Sequence, residues 1–124
     1  DWGNPEFRSC FEFAEDGTLS LTDGADAYLF NRSPHSLTQY AMGNRRSMKS
    51  EIPSSPIENP AWKTMKSSYL ICSDDKAVRL EQQRMRAEWA DYSIEIDCDH
   101  SPFFSAPKQT ADFILETHLA VTGG

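Results

Sequence analysis

Two short apolar runs separated by a helix-length segment constrain this chain more than anything else in it. They lie in SYLICSDDKAVRLEQQRMRAEWADYSIEIDCDHSPFF, residues 68–104. Residues 69–72 have the length and composition of a buried strand. Residues 77–90 carry Val78, Leu80, Met85, Ala87 and Trp89 as apolar area, with Arg79, Glu81, Arg84, Arg86 and Glu88 free to face water, which predicts an amphipathic helix. Residues 92–96 alternate apolar and polar side chains and are rich in β-branched and aromatic types, so they read as a second strand. A crossover of this length joins parallel strands, and the chain is therefore α/β.

The polar residues fall at one end of that unit. Asp74 and Asp75 follow the first strand; Asp97, Cys98, Asp99 and His100 follow the second. Neighbouring parallel strands deliver the loops at their carboxyl ends to the same rim, where ligands bind in open sheets. An acid and a histidine thus meet there, in the chain order acid then His, as in the orienting half of a nucleophile–His–acid triad. A carboxylate keeps one imidazole nitrogen protonated and leaves the other free to take a proton from a nucleophile. The run Asp97, Cys98, Asp99, His100 also raises a metal site. Four adjacent residues rarely converge on one ion without more distant ligands, so no metal or other cofactor is expected.

SYLICSDDKAV followed by EIDCDHSPFFSAPKQTADFIL resembles the C-terminal end of α/β-hydrolases, in particular the small-molecule esterase branch that includes plant methylesterases and hydroxynitrile lyases. The likeness spans residues 62–119 and rests on a YL-hydrophobic-C-x-x-D-K-A pattern and a D-H-S-P turn. It implies that Asp75 is the acid, with Asp74 the weaker candidate, that His100 is the base, and that a final helix closes the fold. It also implies a serine on a G-x-S-x-G elbow well upstream. No G-x-S-x-G occurs in these residues. The expectation is the C-terminal half of an α/β-hydrolase: residues 1–48 a helical cap, 49–61 a connector, 62–124 part of the core. A complementary N-terminal segment bearing the nucleophile serine, on another chain or a removed piece, would complete it. A cut just upstream fits the absence of an initiator Met before Asp1.

Physical considerations point the same way. A chain of 124 residues has room for one domain, yet only two strands are evident, both parallel and both needing cover on each face. Such a sheet is a poor independent fold. The net charge of −7 argues against a nucleic-acid footprint. That charge is uneven: residues 1–26 hold seven acids against Arg8, whereas residues 32–49 hold four basic residues and no acid. This is either a solvated surface or a docking face. Three cysteines, Cys10, Cys72 and Cys98, without a C-x-x-C pair, suggest buried thiols in a reducing, cytoplasmic setting. No transmembrane run or targeting segment is visible, so no membrane contact is expected.

Upstream, Asp16-Gly17 reads as a turn and residues 22–30 as a short helix capped by Thr22 or Asp23. Ser33 is expected to cap a second helix with Pro34 at its first position, a stripe of Leu37, Tyr40 and Ala41, and a stop at Gly43. Ser36 then lies on the helix surface rather than acting as a nucleophile. The aromatic and methionine residues of the first 48 positions (Trp2, Phe7, Phe11, Phe13, Tyr28, Phe30, Met42 and Met48) either wall an acyl pocket or pack the cap, with packing favoured for most. Residues 47–59, with Pro53 and Pro56, read as an extended connector. The last helix is expected over residues 108–119, with Ala111, Ile114, Leu115 and His118 as its stripe, Phe113 a second contact, His118 structural, and residues 122–124 a frayed tail. The Asn31-Arg32-Ser33 sequon is discounted because Pro34 follows it and secretory context is lacking.

Three functions follow from the resemblance. The first is hydrolysis of a small apolar ester, thioester or lactone by serine acyl transfer. The second is a hydroxynitrile-type lyase, disfavoured because Ser101 follows His100 where that branch has a lysine. The third is a non-catalytic binding protein on the same fold, to be told from an enzyme by whether the upstream serine elbow is intact.

Overall fold

The computed structural model describes residues 3–122. Its centre is the parallel pair expected from the sequence. Strand β4 (Ser68–Cys72) lies beside β5 (Tyr92–Ile96), in register from Ser68 opposite Tyr92 to Cys72 opposite Ile96. Helix α4 (Leu80–Ala87) makes the crossover. Cys72, Ile96, Cys98 and Ala106 are buried together, with Leu70 and Ile94 packed against them, which is the burial two parallel strands require.

The crossover helix is shorter than the predicted 77–90. The Oδ1 atom of Asp75 accepts the backbone N–H groups of Ala77 at 2.8 Å and Val78 at 2.9 Å, turning the chain before a helix can start. At its other end, Trp89 and Ala90 donate to Arg86 and Ala87 carbonyls in tight i→i+3 turns. The buried face is also not the apolar stripe: Gln83 and Ala87 point inward, while Met85 and Trp89 are exposed. Trp89 instead stacks on Trp62, centroids 5.4 Å apart.

Gln83 has a backbone to satisfy. Ser67 accepts from Asp91, and Ser73 donates to Ile96, so odd-numbered residues of β4 face β5. The N–H and C=O of Cys72 then face the outer edge of β4. The Gln83 amide takes both, its Oε1 accepting from Cys72 N–H at 2.9 Å and its Nε2 donating to Cys72 O at 3.0 Å.

The first half of the chain is a mixed layer. Helix α1 (Pro5–Arg8) is capped by Asn4, whose Oδ1 accepts the Glu6 N–H at 3.0 Å. Strands β1 (Phe11–Phe13), β2 (Thr18–Leu21) and β3 (Met48–Lys49) form an antiparallel sheet in that order. The β1–β2 hairpin turns at Gly17, whose φ of 80° suits glycine; Asp16 Oδ1 accepts the N–H and hydroxyl of Thr18. A 3-10 turn (Asp23–Ala25) leads into α2 (Asp26–Leu29), and α3 (His35–Gly43) follows. Residues 1–48 therefore carry a small sheet besides the helices foreseen, and β3 falls at the start of the predicted connector. Short strands are hard to read where aromatic and acidic residues alternate without a long apolar run. Phe7, Cys10, Ala25 and Ala77 form this layer's core, with Phe11, Leu21, Tyr28, Leu29 and Met42 packed on it. Packing thus accounts for Phe7, Phe11, Tyr28 and Met42, whereas Phe13 is exposed; Trp2 lies outside the described residues.

Two capping expectations change. Pro34, not Ser33, is the N-cap of α3, because the Ser33 hydroxyl is engaged elsewhere. Leu37 and Tyr40 are exposed and Met42 makes the inward contact. Downstream, a short helix α5 (Pro102–Ser105) precedes α6 (Pro107–Thr122), which starts and ends beyond the predicted limits. Thr122 is helical, its hydroxyl bonded to the His118 carbonyl at 2.8 Å; the expectation for Gly123 and Gly124 falls outside the described residues. Phe113 anchors α6 by stacking on Tyr92, while Ile114, Leu115 and His118 are exposed.

Candidate active site

The rim at the carboxyl ends of β4 and β5 brings Asp75 and His100 together. His100 Nδ1 lies 2.9 Å from Asp75 Oδ2. The two are unequally exposed: the Asp75 side chain is 4% accessible and that of His100 38%. Asp75 is held from two further sides. Its Oδ1 accepts the Ala77 and Val78 N–H groups, and its Oδ2 also receives Gln83 Nε2 at 3.3 Å. A carboxylate so placed keeps the imidazole proton on Nδ1 and leaves Nε2 as the basic nitrogen.

Asp74 is occupied otherwise. Lys76 Nζ sits 2.6 Å from its Oδ1, Asn31 Nδ2 donates to its Oδ2 at 3.1 Å, and the Arg32 guanidinium lies 3.9 Å away. Of the two adjacent acids, the geometry pairs His100 with Asp75. Asn31 also donates to the Asp74 carbonyl, so this part-buried sequon amide is engaged within the fold.

The four residues after β5 point to four different partners. Asp97 pairs with the Arg32 guanidinium, which holds its carboxyl below the usual aspartate range. Cys98 packs with Cys72 in the core. Burial pushes both thiols up, and contact between them raises Cys72 further, so neither is a thiolate at neutral pH. Asp99 is fully buried and accepts four hydrogen bonds, from the Arg32 N–H at 2.9 Å, the Ser33 hydroxyl at 2.8 Å, the Ser101 N–H at 2.9 Å and the Ser105 hydroxyl at 2.7 Å. Burial pushes the Asp99 carboxyl up, but these bonds outweigh it and hold the group below the usual range. Only His100 turns to Asp75. Such divergence cannot gather one ion, whatever the run looks like in sequence.

A hollow of about 250 Å³ opens against the pair, walled by Leu70, Val78, Arg86 and Pro102. It lies along β4 and α4, so a group entering there meets His100 beside apolar surface.

Sequence reasoning missed Gln83, Asn31, Arg32, Ser33 and Ser105. Gln83 left a signal: Leu80, Gln83 and Ala87 share one helix face, and a polar residue in that stripe asks for a buried partner. Ser105 acts locally, whereas Asn31 reaches across 43 residues of chain and Arg32 and Ser33 across 67 and 66, and no spacing reveals them.

No curated protein sequence matches the chain. Among solved structures it is similar to polyneuridine aldehyde esterase (TM-score 0.72, 18% identity, covering 87% of this chain and 47% of that one). It is also similar to a methylesterase from Arabidopsis (TM-score 0.70, 19% identity, 87% and 52%) and to a pyrethroid hydrolase from Sphingobium faniae (TM-score 0.65, 15% identity, 91% and 48%). The chain spans about half the length of these structures. No helix among the described residues is long and apolar enough to cross a membrane. The Alpha/beta hydrolase family matches residues 1–113, nearly the whole sequence, and with the parallel pair, its crossover and the acid and histidine at the shared rim, the chain belongs to that family.

Proposed function

We propose that this chain supplies the base and the acid of a Ser-His-Asp hydrolase acting on a small apolar ester, thioester or lactone. The observation that carries the reading is the 2.9 Å contact between His100 Nδ1 and a buried Asp75 whose other oxygen is already committed. In this reading a serine hydroxyl stands at His100 Nε2. As its oxygen attacks the substrate carbonyl, Nε2 takes the proton, and Asp75 stabilises the imidazolium. Nε2 then protonates the leaving alcohol, thiol or ring oxygen. In the second half Nε2 activates water, which releases the acid and restores the serine.

The serine comes from a complementary N-terminal segment. Supporting this are the roughly half coverage of the similar structures and a two-stranded parallel sheet that calls for more strands. Residues 1–48 serve as a cover over the rim, through the contacts of Asn31, Arg32 and Ser33 with its loops. Ser101 is buried with its N–H on Asp99, so it offers no cation beside His100, which weighs against the carbon–carbon lyase reading. Three free, buried cysteines agree with a reducing, cytoplasmic setting.

The test is His100→Ala in the full-length protein with a p-nitrophenyl ester. Turnover is expected to fall by about 10³–10⁴-fold, since triad members act as a unit. The melting temperature should stay near that of the parent. Full activity in the variant would overturn the proposal.

A further inference from the structure

Asp99 stands immediately before the proposed base, and a buried ionised carboxylate is costly unless its oxygens are fully bonded. Here they are. Oδ1 accepts from Ser101 N–H and Ser105 Oγ, and Oδ2 from Arg32 N–H and Ser33 Oγ, at 2.7–2.9 Å. The Ser101 bond closes a turn with His100 at its apex, which directs the imidazole away from the carboxylate's cage and toward Asp75. The other oxygen fastens that turn to a segment far away in sequence. The same segment reaches the second rim loop, where Asn31 donates to the carbonyl and the carboxylate of Asp74, next to Asp75. Three consecutive residues, Asn31 to Ser33, therefore bridge the loop that carries the acid and the loop that carries the base.

We infer that Asp99 is a positioning residue for His100, and that Arg32 and Ser33, bonded to it, and Asn31, bonded to Asp74, together set the spacing between the acid and base loops. This rests on the hydrolase reading above for its catalytic consequence, but not for its structural one. A misplacement of about 1 Å at a reacting group can cost about 100-fold in rate. Loss of one of the four donors should therefore register in turnover more than in substrate binding.

The experiment compares Ser33→Ala, Ser33→Thr and Asp99→Asn in the full-length protein. It reads kcat and KM for a p-nitrophenyl ester, together with long-range ¹H–¹⁵N NMR of the His100 ring. Ser33→Ala should lower kcat about tenfold with KM within about twofold. Its His100 ring should lose the predominance of the Nδ1–H form expected in the parent. Ser33→Thr keeps the hydroxyl and should restore most of both. Asp99→Asn should act in the same direction more strongly; if it fails to fold, the Ser33 pair decides. A Ser33→Ala protein with lowered melting temperature but unchanged kcat and ring tautomer would overturn the inference, leaving Asp99 a purely structural carboxylate. If the parent itself lacks the Nδ1–H form, the acid–base reading fails first, and the two failures are distinguishable.

Discussion

The two ends of the β4–β5 pair are built to different standards. At the carboxyl rim, Asp75 and Asp99 have every oxygen engaged, and the donors come from four separate stretches of chain. At the amino end, Trp62 and Trp89 stack on one another yet remain about half exposed, above an apolar groove that runs to Tyr69 and Arg86. The outer edge of β4 repeats the contrast. Gln83 closes it at Cys72, near the rim, while the backbone groups of Ser68 and Leu70 face the same edge farther down. Polar groups that orient the rim are satisfied from within this chain; apolar surface away from it stays partly exposed. An acid–histidine pair can thus be firmly positioned at one end of a sheet whose other end stays open.

The largest test of this contrast lies at the rim. Asp75→Asn should leave His100 without the acceptor that sets its tautomer and cost ester turnover about 10³–10⁴-fold, whereas Asp74→Asn should cost less than about threefold. Steady-state kinetics on both variants checks the pair. Should Asp74→Asn prove the damaging change, the rim's geometry would have misassigned the acid.

Next in size is the closed part of the edge. Gln83→Ala strands the Cys72 N–H and C=O in a buried place, and the protein should lose about 2–4 kcal/mol, read from the urea midpoint of the full-length protein. A loss below about 0.5 kcal/mol would mean that the edge is not held by this side chain.

Acid should find the rim before the amino end. Asp99 has a folded-state carboxyl below its ordinary value of 3.8, so its contribution is complete above that value and is lost as pH falls through the folded one. Melting temperature against pH should therefore be flatter below about pH 4 in a folded Asp99→Asn protein than in the parent. Parallel curves would remove Asp99 from the acid response.

Smallest is the tryptophan pair. Trp62→Ala should cost no more than about 1.5 kcal/mol, because the ring is half in water and gains mainly the stacking term. Acrylamide quenching then sharpens the comparison. If a complementary segment covers this end, the accessibility of Trp62 and Trp89 should drop on adding it, while the His100 ring signals shift only near Nε2. Unchanged quenching would place the cover elsewhere.

Part of this was legible in residues alone. The strands were readable because 69–72 is an unbroken apolar run and 92–96 alternates apolar with polar residues and is rich in β-branched and aromatic types; Tyr92–Ile96 matched to the residue, and the first strand begins one residue earlier, at Ser68. Asp75 and His100 were readable because parallel strands must bring their following loops to one rim. The helices between were less so. The stripe through Ile114 and Leu115 faces outward, and Phe113 carries the contact, since apolar spacing names a face but not which side has a neighbour.

By itself, then, the sequence determined the parallel pair, its crossover and the meeting of an acid with a histidine, all of which follow from local pattern and the handedness of the chain. Tertiary structure alone decided that Asn31 engages Asp74, that Ser33 bonds Asp99 instead of capping a helix, and that a glutamine closes the edge of β4. The reason is physical. Local pattern reports what a residue prefers among its neighbours in sequence, whereas a buried hydrogen bond goes to whichever donor the fold brings within about 3 Å, however far away in the chain it began.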